Sequence, residues 1–328
     1  MNTFDPPFNP DTGSKPVSTS PKDAPGTAAS VPVRGVRTRE IRCGSMTLAL
    51  GGAPLIMGIL NVTPDSFSDG GQFTDPSAAV SHALEMCDAG ADIVDVGGES
   101  TRPGSDPVST GVELDRVLPV IDALKNARGR GEATGVPISI DTRRAEVADA
   151  ALRRGCHMIN DVSAASDAEM IDVLRHHPDV PIVLMHMKGD PKAMQETPYY
   201  DDVVAEVTAF LDERAKMLTS AGIARDRIVV DPGIGFGKRF GDNLDLLNRI
   251  DSLRALGYPV LVGASRKRFL GELLDADLER RLPGSLAVAA RCMQYGVDVV
   301  RVHDVADTAG LFRVLDAMER PGNYEADW

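Results

Sequence analysis

Polar side chains recur in this sequence at the ends of apolar runs, and their types suit a flat heterocycle and an anion held together. They are Asn61; Glu99, Ser100, Thr101 and Arg102; Asp141; Asn160 and Asp161; His186; Asp231; Ser265, Arg266 and Lys267; and Arg301 with His303. An ionised carboxylate accepts two parallel hydrogen bonds from neighbouring N–H groups. Asp141 and Asp231, with the Asn160 amide, therefore suit the edge of a ring such as a 2-amino-pyrimidinone. Arg102, Lys267, Arg301 and His303 are the opposite equipment, suited to phosphate or carboxylate groups. Taken singly, Asp141 or Asn160 could equally support the loop that follows it. Recurrence at one run end after another points to a single pocket with a guanidine-binding side and an anion-binding side.

Three other motifs do not hold up. Gly233-Ile234-Gly235-Phe236-Gly237 brings its third glycine one residue too early for a dinucleotide fingerprint. Gly237-Lys238 is followed by Arg239, and Pro232 stands where a phosphate-binding P-loop needs its first glycine. His176 and His177 precede Pro178 at a predicted helix end, where capping is the simpler reading than metal binding.

Such residues need a scaffold that brings run ends together. Apolar runs at 55–60, 93–96, 137–140, 157–159, 182–185, 228–230, 260–262 and 299–302 read as buried strands. Helical patterns lie between them. Leu114, Leu118, Ile121 and Leu124 share one helical face, and Thr110 with Glu113 reads as a capping box, as does Ser166 with Glu169. Asp75 before Pro76 reads as an N-cap with Pro at the first helical position. About eight strand–helix units in succession predict a single-domain (β/α)₈ barrel, an α/β TIM barrel, whose C-terminal strand ends form the mouth. A doubly wound open sheet is the alternative, but the first strand leads into Asn61 rather than a glycine fingerprint. Residues 38–50 alternate enough to predict a short hairpin at the barrel floor.

Composition narrows the setting. The chain has 328 residues, 43% hydrophobic, with 5% aromatics, so a large core must be built from aliphatic side chains. A net charge of −13 excludes nucleic acid as a partner, which would need a basic stripe. It leaves room for a small phosphorylated substrate. No run approaches the ~20 apolar residues of a membrane span. Cys43, Cys87, Cys156 and Cys292 are scattered, which fits free thiols in a reducing cytoplasm. Residues 1–33 are rich in Pro, Ser, Thr and Gly and carry Asp5, Asp11 and Asp23. They read as a disordered tail rather than a targeting peptide, with a barrel domain over 34–328.

The longer motifs resemble one family. The run from Met57 to Gly71 (MGILNVTPDSFSDGG) and that from Gly97 to Gly104 (GGESTRPG) are similar to the two signatures of dihydropteroate synthases. SIDT at 139–142, IND at 159–161, LMHM at 184–187, DPGIGFGK at 231–238, SRK at 265–267 and RVHD at 301–304 continue the likeness in order. It covers about residues 40–320. The resemblance implies a homodimeric barrel that condenses 6-hydroxymethyl-7,8-dihydropterin diphosphate with 4-aminobenzoate, releasing diphosphate with the help of Mg²⁺. It implies that Asp141, Asn160, Met185, Asp231 and Lys267 hold the pterin. Asn61 would ligate Mg²⁺ and, with Arg301 and His303, meet the diphosphate. Phe67, Thr101, Arg102, Pro103, Phe236 and Ser265 would shape the aminobenzoate side. Independently of the resemblance, the loops at 62–73 and 100–109 carry glycines and polar residues without apolar anchors, which predicts that they order on binding. Arg268 departs from members with a serine beside the benzoate carboxylate. A methyltetrahydrofolate methyltransferase-like barrel or a catalytically silent pterin-binding paralogue stand as alternatives.

Overall fold

The computed structural model describes residues 39–63, 76–100, 105–129, 135–189 and 198–323. The tail at 1–33, the Asp75 cap, and Phe67, Thr101, Arg102 and Pro103 lie outside the described residues, as does most of the loop at 62–73. A hairpin opens the described chain: β1 (Arg39–Cys43) pairs antiparallel with β2 (Met46–Leu50). Eight parallel strands follow, each succeeded by helix: β3 (Leu55–Asn61), α1 (Pro76–Asp88), β4 (Ile93–Gly97), α2 (Thr110–Gly129), β5 (Ile138–Asp141), α3 (Ala145–Arg154), β6 (Met158–Asp161) and α4 (Met170–His176). Then come β7 (Ile182–Met185), α5 (Val203–Ser220), β8 (Ile228–Asp231), α6 (Phe240–Asn248), α7 (Ile250–Arg254), β9 (Leu261–Val262), α8 (Arg268–Leu274), α9 (Leu282–Tyr295), β10 (Val299–Val302) and α10 (Val305–Glu319).

The strands lie in the order β8-β7-β6-β5-β4-β3-β10-β9, and a single parallel bridge from Val230 to Val260 joins the two ends. This is the predicted (β/α)₈ barrel. Each predicted run became a strand to within a residue or two of its bounds. β9 is the shortest, because only Leu261 and Val262 pair with β10.

Strand pleat explains how the barrel is filled. Side chains alternate faces every residue, so one interior layer is followed two residues later by the next. The lower layer is apolar: Met57, Ile93, Met158, Val183, Val229, Leu261 and Val299 form one buried cluster. Ile41, Cys43 and Leu50 of the hairpin pack into the same cluster, so β1 and β2 plug the floor as predicted. Arg39 ties the plug to the barrel through Asp298 at 3.2 Å. The outward strand residues, such as Ile56, Val94, Ile140 and Val230, pack under the helices in a second, larger core.

Two predicted caps are corrected. The first helical residue of α2 is Thr110 itself, so Ser109 takes the cap position and its hydroxyl accepts the Val112 amide at 3.3 Å. Glu113 turns inward instead and pairs with Arg144. Before α4, Asp167 rather than Ser166 accepts the Glu169 amide at 3.0 Å. His177 pairs with Asp149 at 3.0 Å, while the last carbonyls of α4 are satisfied by the buried Arg227 guanidinium, which donates to Leu174 and His177 at 2.9 and 2.8 Å. These exchanges follow from burial: local capping rules compete with distant partners that a single sequence does not reveal.

Candidate active site at the barrel mouth

Two residues beyond the apolar layer, the same interior face turns polar. Asp95 follows Ile93, Asn160 follows Met158, Asp231 follows Val229 and Arg301 follows Val299, all on the inward parity of their strands. Asp141 and Met185 share that parity on β5 and β7. Asp95, wholly buried, accepts from the Asn160 amide at 2.9 Å and from Arg301 Nε at 2.6 Å. Arg301 then donates from its other arm to Asp141 at 2.7 Å. The guanidinium expected at the diphosphate thus also bridges two carboxylates of the ring-binding side. The other Asp95 oxygen, Oδ1, is buried with no hydrogen-bond partner among the described residues, an expensive state that a ligand N–H would relieve.

The carboxylates titrate high. Burial pushes Asp231 up to about 6, despite the Gly233 amide that donates to its Oδ1 at 2.7 Å and the cations Lys267, Lys238 and Arg301 nearby. Burial also raises Asp141; the Arg301 guanidinium pulls the other way, and Asp95, Glu113 and Asp161 reinforce the rise. A carboxylate held ready but poorly solvated binds an N–H edge strongly, because little water must be stripped away.

The anionic side is built by the ends of β9 and β10. Ser265 accepts the His303 backbone amide at 3.2 Å and lies 3.1 Å from His303 Nδ1. The hydroxyl therefore anchors both the backbone and the ring of His303 and leaves Nε2 as the ring's other polar atom. Arg266 between them adopts a left-handed backbone at φ 56°, a conformation that costs about 1 kcal/mol for a non-glycine residue. Its Nε donates to Asp304 at 3.0 Å, its amide to Ser285 at 2.9 Å, and Arg281 donates to its carbonyl at 3.1 Å. That bracing turns Lys267 inward, with its ammonium 3.8 Å above the Phe236 ring. Phe236, Met185, Val162 and Met187 form a small apolar cluster at the mouth. Arg268, in contrast, is exposed and pairs along its helix with Glu272 at 2.8 Å.

The geometry therefore gathers Asp141, Asn160, Met185, Asp231, Lys267, Phe236, Ser265, Arg301 and His303 at the strand ends, with Asn61 closing β3 beside them. Sequence reading missed Asp95, although an acid two residues past the inward Ile93 carried the signal. It also missed how Arg143 and Arg144 close on Glu99. Arg144 reaches Glu99 at 3.1 Å, and Glu99 accepts the Val108 amide at 3.1 Å, so the second mouth loop is rooted in an ion-pair network.

Comparison with known proteins identifies the family. Residues 57–303 match the family described as pterin binding enzyme. Curated dihydropteroate synthases are similar over nearly their whole length: that of Bacillus subtilis is 43% identical over 287 residues, covering 87% of this chain and 96% of the relative. That of Escherichia coli is 45% identical over 264 residues, covering 80% and 91%. The chain belongs to the dihydropteroate synthase family of pterin-binding enzymes. Among solved structures of the family, a Xanthomonas albilineans dihydropteroate synthase with 4-aminobenzoic acid superposes with a TM-score of 0.79 at 45% identity, covering 86% of this chain and 98% of that one. The same enzyme in complex with 7,8-dihydropteroate gives 0.76 at 43%, covering 85% and 98%.

Proposed function

We infer that the chain is a transferase that joins 6-hydroxymethyl-7,8-dihydropterin diphosphate to 4-aminobenzoate, giving 7,8-dihydropteroate and diphosphate. The observation that carries this is the polar interior layer: Asp95, Asp141, Asn160 and Asp231 present acceptors to a pocket in which Arg301 bridges Asp95 and Asp141 and which Lys267 and His303 border. The acids and the Asn160 amide take the pterin edge, Met185 packs on its ring, and Lys267 reaches it from the side. His303 and Arg301 take the diphosphate. Phe236 and Ser265 stand on the aminobenzoate side, which Phe67, Thr101, Arg102 and Pro103, outside the described residues, would complete.

In the reaction the arylamine nitrogen bonds to the exocyclic pterin methylene as the carbon–oxygen bond to diphosphate breaks, and the amine proton passes to diphosphate or water. The arylamine is neutral at pH 7, so no strong base is needed. Positive charge developing on the methylene is spread into the electron-rich ring and favoured by the surrounding carboxylates. The protein's work is to align the two substrates and to hold charge. The Asn61 amide oxygen is a hard, neutral ligand, which fits Mg²⁺, an ion that keeps most of its waters and takes one or two protein oxygens beside substrate phosphates. When bound, Mg²⁺ would neutralise leaving-group charge. Incubating the purified protein with both substrates and Mg²⁺ and following dihydropteroate by mass tests the whole reading; absence of product, with binding of pterin retained, would leave a silent paralogue.

Asp231 titrating near 6 makes pterin affinity depend on pH. Its folded value lies above the ordinary carboxylate value, so the acid is protonated below about 6 and loses its acceptor pair there. Calorimetry with a pterin analogue should show affinity at least about tenfold weaker at pH 5 than at pH 8, since Asp141, pushed up to about 7, loses its charge over the same range. A level affinity down to pH 5 would show that Asp231 does not receive the pterin edge.

The active form is a homodimer, residues 34–328 are its working domain and residues 1–33 a tail outside it, and buried free thiols such as Cys156 and Cys292 suit a reducing cytoplasm. A face built by α6, α8 and α9 supports the dimer. Leu273 is 59% exposed and Leu274 43%, beside Leu244, Phe269 and Val288 in one apolar groove. A second copy is the occupant that covers such a face in a symmetric pair. Leu273→Glu should shift the protein from dimer to monomer in light scattering, and an unchanged mass would move the interface elsewhere.

A further inference from the structure

The mechanism above leaves one buried cation unused. Lys238 is 2% exposed at the end of the loop from β8 to α6, and among the described residues no carboxylate is hydrogen-bonded to it. Its ammonium meets three acceptors: His186 Nδ1 at 3.0 Å, the His186 carbonyl at 3.2 Å and the Phe236 carbonyl at 3.0 Å. An ammonium has three N–H groups, so each is taken. His186 must then accept through Nδ1 and stay neutral, and burial beside Lys238 indeed pushes its value down to about 3.

What Lys238 joins is a loop held at its start by the buried Ile234 and by the Gly233 amide on Asp231, and at its far end by few side chains. Gly233, Gly235 and Gly237 adopt left-handed backbones at φ 66°, 81° and 61°. A side chain at Gly233 would come within 2.0 Å of the His186 carbonyl, and one at Gly237 within 2.2 Å of the Lys188 carbonyl, so the loop lies directly on the end of β7. Glycines permit that approach but add conformational entropy that opposes it. Around them the Tyr200 hydroxyl donates to the Gly237 carbonyl at 2.7 Å and the Gly235 amide to Asn243 at 2.6 Å. Phe236, the apolar side chain carried at the tip, stands between Met185 and the Lys267 ammonium.

We propose that Lys238 is a positioning residue for the aminobenzoate half of the pocket: it bolts the β8–α6 loop to the end of β7 and so fixes where the Phe236 ring stands. The proposal rests on the function inferred above. The effect should fall mainly on aminobenzoate: Asp231 opens this loop but is held by the β7–β8 ladder opposite Met185, and Asp95, Asp141 and Asn160 hold the pterin from β4, β5 and β6.

The bolt is sensitive to charge. Burial lowers Lys238 to about 7, with Asp231 and Asp242 pulling upward and Lys267 pushing down. The ammonium is therefore present below about 7 and lost above it; the neutral amine has two donors for three acceptors and turns a lone pair on one of them. The groups facing it are His186 and Lys188 at the end of β7, Tyr200 before α5, Asp231, Asp242 on α6 and Lys267. His186 changes charge near 3 and Asp231 near 6; Asp242 lies below its ordinary value and Tyr200 above its own. Asp141, across the pocket, is pushed up to about 7 as well, so an alkaline change just above 7 is assigned to Lys238 by its loss in a Lys238 variant.

The test is steady-state kinetics of the full chain and of Lys238→Met, whose apolar side chain has similar reach; replacing a buried charge by a packed apolar group is commonly tolerated by the fold. With pterin diphosphate saturating, KM for 4-aminobenzoate should rise at least about tenfold in Lys238→Met, while kcat and the KM for pterin diphosphate stay within about threefold. In the unmodified chain the KM for 4-aminobenzoate should climb between about pH 7 and 8.5, a limb that Lys238→Met lacks. A folded Lys238→Met with an unchanged aminobenzoate KM overturns the proposal, and so does a variant in which kcat alone collapses. Should Lys238→Met not fold, the unmodified chain decides: a level aminobenzoate KM across that range overturns it too. Absence of any turnover in the unmodified chain sinks the inferred function and this proposal together, whereas normal turnover with an unmoved KM sinks the proposal alone.

Discussion

Asp231→Ala should weaken pterin binding about 30- to 150-fold in calorimetry at pH 7.5, the equivalent of roughly 2–3 kcal/mol for loss of an ionised acceptor pair. The carboxylate stands 4% exposed at the end of β8, and only one of its oxygens has a partner among the described residues, the Gly233 amide. The ligand's adjacent N–H groups would be left facing alanine, in a pocket too enclosed to supply water in compensation. The fold should not suffer to match, because burial already disfavours the ionised form of this acid. Asp231→Asn sharpens the result: the side chain keeps its shape but offers an NH₂ where the ligand also donates, so its loss should be as large. Affinity within about threefold of the unmodified chain in both variants would remove Asp231 from the pterin edge.

Arg301→Met should cost both stability and turnover, and the two losses should part company with pH. Arg301 is the only described cation hydrogen-bonded to Asp95 and Asp141, at 2.6 and 2.7 Å. Removing one partner of an enclosed ion pair leaves buried charge without compensation, at ~3–5 kcal/mol when solvent is excluded. Because 20% of the Arg301 side chain meets solvent, about 2–3 kcal/mol is the expectation here. Urea unfolding at pH 7.5 should show that loss. It should shrink toward pH 5, since Asp141, already raised by burial and freed of its guanidinium, takes up a proton instead. Turnover should fall about a hundredfold or more, as when a preorganised group facing transition-state charge is deleted, and should not recover at pH 5. A variant as stable as the parent at pH 7.5 would show that Asp95 and Asp141 share a proton and do not depend on Arg301.

The sequence by itself determined the periodicities and the chemistry. Eight short aliphatic runs separated by helical patterns leave few folds other than a β/α barrel, since each run is buried on both faces and each connection is a helix. Polar residues at run ends followed, because in that fold a strand's last residues meet at the mouth. The floor hairpin was legible as well, from the alternation that ends in Cys43 and Leu50. Tertiary structure alone decided which groups are partners. Glu113 has the spacing of a capping box, yet it is buried and serves Arg144, 31 residues away, because an enclosed guanidinium outweighs an exposed amide. Arg301 reads as a phosphate residue, and only the barrel's closure sets it across Asp95, 206 residues earlier, where it must also neutralise carboxylates. Lys238 reads as the end of a glycine-rich motif, and only the packing of that loop on β7 shows its ammonium enclosed among carbonyls. The division has one physical cause. Periodicity and residue type are local properties of the chain, whereas burial and charge pairing depend on which distant segments exclude water from one another.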